Sequence, residues 1–221
     1  MRNEQEVLIK LYENHRNEEN AGPMRKYMKE HFPFLGIKSP LRKELERQFF
    51  KHTEILKEPF DKKFVLRLWE KDEREYQYTA ITYIGKYHKK LPKDVIPFFE
   101  KLITTKSWWD SVDGLAPLVG EIVKRYPEVI EETINQWSVH DNMWLRRTAI
   151  LFQLKYKEQT NENLLYQYIL KNADSKEFFI QKAIGWALRE YSKTNSESVK
   201  TFIEGNQLAR LSVREGSKYL S

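Results

Sequence analysis

Apolar side chains recur in the second half of the chain at spacings of three to five residues, the period of a helix with one buried face. The stretch 143–157 (MWLRRTAILFQLKYK) carries this pattern and is followed, after a polar turn, by a shorter one at 161–170. The same long and short stretches recur at 177–191 and 196–205. The pattern therefore predicts pairs of helices joined by short turns.

The helix pairs repeat every 34 to 35 residues. Small residues recur at this spacing at Ala80, Gly114, Ala149 and Ala183. Five positions before the last three lie the expected packing anchors Trp109, Trp144 and Phe178, and an aliphatic position recurs at Val95, Val129, Leu164 and Val199. Because three registers agree, the sequence predicts an all-α fold: a single right-handed solenoid of HEAT-like helical repeats with a concave basic groove, over residues 1–221 as one domain.

Turn-forming residues predict where the helices start and stop. Residues 1–56 predict two or three helices with breaks near 20–23 and 33–40, where prolines lie. In the second half, the N-caps are predicted at Asp141 and at Asp174 or Ser175.

Composition limits the kinds of site and compartment. The chain has no cysteine, which excludes disulfides and thiolate metal sites, and its five histidines are scattered. No stretch reaches the roughly 20 apolar residues of a membrane span. We therefore expect a monomer in the reducing cytoplasm, with no metal, no cofactor and no membrane contact. The net charge of +6 is a mild indication of an anionic partner.

One short string, TKSWWDSVD at 105–113, does not fit repeat packing alone. Ser107 suits an N-cap and Asp110 suits the reciprocal position of a capping box, so Asp110 has a structural explanation. Asp113 does not, because it lies too far into the helix to cap it, and the matching repeat positions are Thr79, Thr148 and Lys182. It shares a helix face with Trp109, four residues earlier.

The aromatic and basic residues of this region invite both a packing and a binding interpretation. Neighbouring Trp108 and Trp109 cannot face the same side of a helix, so one is expected in the core and the other on a free surface. Trp186 suits either place. Basic residues cluster in the same repeats at Arg146, Arg147, Lys155, Lys182, Arg189 and Lys193. Arg147 is adjacent to the repeat position of Asp113, so a cation, a carboxylate and a tryptophan are expected to meet across adjacent repeats. That combination suits a nucleic-acid backbone.

The strings TKSWWDSVD, WLRRTAILFQLKYK and SKEFFIQKAIGWALREYSKTN resemble the AlkD-type DNA alkylation-repair glycosylases. The similarity runs from Pro23 to Lys218 and implies a HEAT-like fold. It also implies hydrolysis of the N-glycosidic bond of cationic alkylated purines, 3-methyladenine and 7-methylguanine, in double-stranded DNA. The family needs no cofactor and is thought not to flip the base.

The resemblance also implies roles for individual residues. Asp113 corresponds to the catalytic carboxylate, Trp109 and Trp186 to the sugar-contacting tryptophans, and Arg147 to the key arginine. DNA-binding residues are expected from the resemblance and from the basic cluster at Tyr27, Lys155, Lys182, Arg189 and Lys193. We expect Arg147, Lys155 and Arg189 to bind backbone phosphates rather than base edges.

Two other functions fit the repeat architecture. One is a HEAT-type scaffold that binds a protein partner without catalysis, since a fold does not fix a function. The other is a catalytically silent DNA-binding relative. The presence of Trp109, Asp113, Arg147 and Trp186 together favours the enzyme over both.

Overall fold

The computed structural model describes residues 4–220, and every regular element in that range is a helix. The predicted all-α helical-repeat fold is confirmed, while its hand and its concave groove stay predictions. No helix of residues 4–220 is both long and apolar enough to cross a bilayer. Between His88 and Lys89 the chain divides into two compact units. The single domain expected over residues 1–221 stays a prediction.

Aromatic packing holds the first unit together. Phe49 stacks on Phe64 with ring centroids 6.0 Å apart, and Phe64 meets Tyr83 edge-on at 5.0 Å. Rings packed in this way bury a large apolar area and favour offset or edge-on geometry, so they fix the three helices that carry them. The α-helices of this unit are α1 (Glu4–Glu13), α2 (Glu18–Tyr27), α3 (Ser39–Thr53), α4 (Lys62–Trp69) and α5 (Arg74–Tyr87).

The two predicted breaks in the N-terminal region have different outcomes. The break near 33–40 is confirmed, because α2 ends at Tyr27 and α3 begins at Ser39. The break near 20–23 is wrong, because α2 continues through Pro23. The Oδ1 atom of Asn17 accepts a hydrogen bond from the backbone N–H of Asn20 at 2.9 Å and starts the helix. Pro23 is the sixth residue of α2, so the helix continues even though proline has no N–H group to bond to the backbone oxygen of Glu19.

A buried carboxylate organises the segment between α2 and α3. Glu75 accepts hydrogen bonds from the backbone N–H groups of Leu35 at 3.0 Å, Gly36 at 2.9 Å and Ile37 at 3.1 Å. Burial raises the pKa of Glu75, and these three bonds oppose that shift. Gly36 has φ +85°, and a Cβ there would lie 1.9 Å from the backbone oxygen of Asn17, so only glycine fits.

The second unit is a stack of helices. Its α-helices are α6 (Ile96–Thr104), α7 (Trp109–Arg125), α8 (Asn135–Trp137), α9 (Met143–Leu151), α10 (Glu162–Leu170), α11 (Phe178–Tyr191), α12 (Ser196–Gly205) and α13 (Arg210–Gly216). Helix α7 packs on α9, α9 on α11 and α11 on α13. A π-helical turn at Ile130–Ile134 leads directly into α8.

Burial of aliphatic side chains fixes the order of this stack. Ala116 of α7, Ile150 of α9 and Ile184 of α11 lie in one core cluster with side chains of α10 and α12. Fully burying a side chain of isoleucine size contributes about 1.5–3 kcal/mol, so a shared cluster holds the helices firmly. Ala149 and Ala183, at the predicted small positions, are buried.

Helix α9 is shorter than the pattern predicted. Of the stretch 143–157 only the part up to Leu151 belongs to α9, whereas α10, α11 and α12 match their predicted stretches to within one residue. The hydroxyl of Tyr156 donates to the backbone oxygen of Gly120 in α7. A Cβ on Gly120 would lie 2.1 Å from the backbone oxygen of Phe152, so α7 approaches this turn closely. A continued helix would lose that contact.

The predicted N-caps of α9 and α11 are wrong. Asn142, not Asp141, caps α9, and its Oδ1 atom accepts a hydrogen bond from the backbone N–H of Trp144 at 2.9 Å. Helix α11 starts after Glu177 without a side-chain cap, so neither Asp174 nor Ser175 is its N-cap. Both helices therefore begin later than the cap residues alone suggested.

We predict that Glu75→Ala lowers the free energy of unfolding by about 3 kcal/mol or more, because it leaves three buried N–H groups without acceptors. Urea unfolding measures this. The matched control is Glu73→Ala, which breaks only a surface ion pair with Arg16 and should cost no more than about 1 kcal/mol. Equal losses in the two variants would contradict the role given to Glu75.

Candidate functional site

The site begins where α7 begins. Trp108 is the N-cap residue of α7, so the helix starts at Trp109. The hydroxyl of Ser107 donates instead to the backbone oxygen of Ile103 at 2.6 Å, at the end of α6. The predicted capping box of Ser107 and Asp110 is therefore wrong. Asp110 still lies in the first turn of α7, where the helix dipole favours a carboxylate.

The two adjacent tryptophans have different surroundings. The ring centroid of Trp108 lies 5.8 Å from that of Trp144 and 4.9 Å from that of Phe179. These three rings join the starts of α7, α9 and α11. Trp109 is half-buried and lies on the α7 face that carries Asp113. Trp108 packs on the neighbouring rings, and Trp109 shares a helix face with Asp113. Both side chains are half-buried, so neither lies fully in the core.

The predicted packing role of Phe178 is wrong. Its side chain is 56% exposed, and the neighbouring Phe179 takes its place, 5.2 Å from Trp144 between ring centroids. The repeat spacing locates such a position only to within one residue, because the start of α11 decides which of the two rings turns inward.

Asp113 and Arg147 form a bidentate ion pair. Nε of Arg147 donates to Oδ1 of Asp113 and Nη2 donates to Oδ2, both at 2.7 Å. The remaining nitrogen, Nη1, donates to the backbone oxygen of Phe179. Each charged residue is the fifth of its helix, so stacking α7 on α9 brings them together. The contact therefore links three helices.

The pair is almost dry: the side chain of Arg147 is 5% exposed and that of Asp113 is 13% exposed. Burial raises the pKa of the Asp113 carboxyl, the hydrogen bonds and charge of Arg147 oppose the shift, and the charge of Asp110 adds to it. Two short charge-assisted bonds favour the ionised carboxylate. Each carboxylate oxygen keeps acceptor capacity beyond its one bond to Arg147.

This geometry corrects the phosphate contact expected for Arg147. Its Nε, Nη1 and Nη2 atoms all donate to groups inside the protein, and its side chain is buried. A phosphate would have to break the pair to reach it. In this structure Arg147 instead holds the Asp113 carboxylate in one orientation, and its charge opposes the rise in the pKa of Asp113 that burial causes.

A second group of predicted residues lies on α11. Lys182, Trp186 and Arg189 follow one another at i, i+4 and i+7 and so share a helix face. Trp186 is half-buried against the core cluster. Both cations contact Glu215 of α13: Lys182 Nζ lies 3.1 Å from Oε1 and Arg189 Nη1 lies 3.2 Å from Oε2.

Glu215 is a residue that the sequence analysis missed. It is the only acidic residue between Arg210 and the C-terminus, a stretch that also holds Arg214 and Lys218. That isolation is a weak signal which could have drawn attention to it. Its partners on α11 lie about 30 residues away in sequence, so no local pattern connects them.

The other predicted DNA-binding residues lie at the ends of helices or in the turns that follow them. Lys155 is exposed in the turn after α9. Lys193 is exposed after α11, with Nζ 2.6 Å from Oε2 of Glu190 and 5.3 Å from the ring centroid of Tyr219. Tyr27 ends α2 in the first unit and is exposed.

Comparison with known proteins gives a consistent result. Residues 8–220 match the family model described as DNA alkylation repair enzyme. A structure from Enterococcus faecalis described as a "Predicted DNA alkylation repair enzyme" is 38% identical, with 93% of this chain and 97% of that one covered and a TM-score of 0.87. No curated protein matches the chain.

Two structures from Streptococcus mutans share the fold at 20% identity. AlkD2 has a TM-score of 0.61, covering 81% of this chain and 90% of its own. The protein smu.31 from strain UA159 has a TM-score of 0.59, covering 81% of this chain and 98% of its own.

We predict that Arg147→Ala lowers the free energy of unfolding by about 3 kcal/mol, because it leaves a buried carboxylate without its partner. Arg147→Lys should recover only part of this loss, because an ammonium cannot form the planar fork that binds both oxygens. Urea unfolding of the two variants at neutral pH measures both effects. Full recovery by lysine would show that charge alone matters, not the bidentate geometry.

Proposed function

Since residues 8–220 match its family model, the chain belongs to the DNA alkylation repair enzyme family, and we propose that it is a monofunctional DNA glycosylase. Its substrates in this proposal are cationic alkylated purines in duplex DNA, such as 7-methylguanine and 3-methyladenine. The observation that carries the proposal is the nearly dry Asp113–Arg147 pair on the α7 face that presents Trp109.

The chemistry of the substrate explains why one carboxylate is enough. An alkyl group on N3 or N7 makes the base cationic, so the electrons of the broken N-glycosidic bond neutralise the base as it leaves. Positive charge then develops on the deoxyribose, as in other glycosyl-transfer reactions. Water adds to that sugar carbon and loses a proton, which gives an abasic site and a neutral purine.

In this proposal Asp113 stabilises the developing charge and orients the water. A carboxylate removed from water interacts more strongly with a nearby positive charge than an exposed one does. Arg147 orients the carboxylate and keeps it ionised. Trp109 and Trp186 turn their ring faces towards the same cationic sugar, which their quadrupoles attract.

Contacts to the DNA backbone complete the proposal. Lys155, Lys182, Arg189 and Lys193 bind phosphates, which fixes the duplex without reading its sequence. Tyr27 contacts the DNA from the first unit. The two tryptophans lie on helix faces, a placement that suits contact with the sugar of a lesion that remains stacked in the duplex.

We predict that Asp113→Asn slows release of 7-methylguanine at least about tenfold, because one electrostatic contact at developing charge is worth a few kcal/mol. Single-turnover assays with alkylated duplex DNA measure the released base. Asp110→Asn is the matched control: Asp110 lies three residues away in the first turn of α7 and should keep most of the activity. A larger loss at Asp110 than at Asp113 would reverse the assignment.

The pH profile of the same assay provides an independent test. Activity requires the ionised carboxylate, so it is present above the pKa of Asp113 and is lost as the pH falls through it. Because burial raises that pKa, the loss should begin at a higher pH than for an ordinary aspartate. Asp113→Asn should lack this acidic limb. Identical profiles for both proteins would exclude Asp113 as the titrating group.

We predict that the enzyme releases cationic lesions and leaves neutral ones, hypoxanthine and 1,N6-ethenoadenine, nearly untouched. A neutral base needs a proton from a general acid, and Asp113 is held ionised by Arg147. Oligonucleotides that each carry one lesion, followed by measurement of free base, test this. Efficient hypoxanthine release would contradict the mechanism. Binding of duplex DNA without any release would favour the silent relative, and absence of both would favour the scaffold.

A further inference from the structure

Glu215 lies at the centre of four cations. Its Oε1 atom is 3.1 Å from Nζ of Lys182 and 4.0 Å from Nη2 of Arg214. Its Oε2 atom is 2.7 Å from Nζ of Lys218 and 3.2 Å from Nη1 of Arg189. Each oxygen thus faces one cation from α11 and one from α13 or the turn that follows it.

The carboxylate is buried while the cations reach solvent. The side chain of Glu215 is 9% exposed, whereas those of Lys182 and Lys218 are 38% and 46% exposed. Lys218 and Lys182 lower the pKa of Glu215 to about 2, so it is ionised throughout the neutral range. Four cations and one carboxylate leave a net charge of +3, most of it at the surface.

Close packing of α13 on α11 brings Glu215 next to the cations of α11. A Cβ added to Gly185 of α11 would lie 2.5 Å from Cβ of Glu215 and 3.0 Å from the backbone oxygen of Ser212. Glycine at this position therefore lets α13 rest directly on α11. Because Lys182 and Arg189 lie on either side of Gly185, Glu215 reaches both of them.

We propose that Glu215 is a positioning residue that holds Lys182 and Arg189 as a two-sided binding site for one phosphate of the DNA backbone, next to Trp186. This inference rests on the proposed DNA substrate and adds how the contact is built. Lys182 has three N–H donors and Arg189 has five, and each side chain has one contact with Glu215, through Nζ of Lys182 and Nη1 of Arg189. Donors therefore remain for phosphate oxygens.

Removal of Glu215 should change the affinity for DNA in opposite directions, depending on whether the residue acts by its charge or by positioning the two cations. If Glu215 contributed only its charge, its removal would strengthen DNA binding, because a negative group near the phosphates would be gone. If Glu215 positions the two cations, its removal weakens binding, because two long side chains must then be ordered when DNA binds.

We predict that Glu215→Gln weakens binding to an undamaged duplex about three- to tenfold and makes the salt slope shallower by about one. Fluorescence anisotropy over a salt series measures both. The matched control is Glu190→Gln, which removes one negative charge from α11, the helix of Lys182 and Arg189; Glu190 pairs with Lys193 and not with these two cations. That variant should bind at least as tightly as the wild type. Tighter binding by both variants would overturn the positioning role.

A double-mutant cycle separates positioning from a general effect on the fold. In a Lys182→Ala/Arg189→Ala background, Glu215→Gln should weaken binding less than about twofold further, because the two cations that it holds for the phosphate are absent. An equal loss in both backgrounds would mean that Glu215 only supports the packing of α13, and would overturn the proposal. Thermal unfolding of each variant accompanies the binding data.

Different results would contradict the phosphate site and the proposed glycosylase activity. A wild-type protein that binds duplex DNA but releases no base would contradict the catalytic proposal and leave this test intact. A wild-type protein that does not bind duplex DNA would overturn the phosphate site.

Discussion

Burial removes the charges of Asp113 and Arg147 from water, and the lost hydration offsets much of the attraction between them. The second unit compensates by holding the two groups in a favourable geometry. The pair is stable only if both groups stay in register, so the helices that carry them cannot move independently. The ring cluster at the starts of α7, α9 and α11 supplies that rigidity a few residues away. The aliphatic core cluster joins the same three helices. Asp113, whose position in the sequence gives it no capping role, is thus held in one orientation.

The Asp113–Arg147 pair and the Glu215 group of the second unit differ in hydration and in net charge. The Asp113–Arg147 pair is nearly dry and balanced in charge, and every guanidinium nitrogen of Arg147 donates to a group inside the protein. The Glu215 group is mainly cationic, and its lysines reach solvent. A dry pair keeps a single carboxylate in one orientation, which suits chemistry. A wet and unbalanced group attracts polyanions over a longer range, which suits binding. Each contains one carboxylate. In the Asp113–Arg147 pair it is the proposed catalytic group, whereas in the Glu215 group it holds the cations together.

Much of this organisation could be predicted from the sequence, because it depends on short-range patterns. The helix period predicted α10, α11 and α12, and the depth of Asp113 in its helix separated it from Asp110 in the first turn. Several of the failures arise from contacts between residues that are distant in sequence. The place of α9's end depends on Tyr156 reaching α7, and the choice of Phe179 over Phe178 depends on where α11 starts. Glu215 could not be connected to Lys182 and Arg189, because no periodicity spans the loop between α12 and α13.

The third nitrogen of Arg147 donates to the main-chain oxygen of residue 179, not to its side chain. A main-chain acceptor is present whichever amino acid occupies that position. The orientation of the guanidinium is therefore encoded in the path of the backbone, and residue 179 can drift during evolution as long as a ring-sized side chain still fills the space beside Trp144. Relatives could thus share the same charge geometry while differing at the residue that completes it. Searching for that residue by its identity would overlook them, whereas searching for the carbonyl position would not.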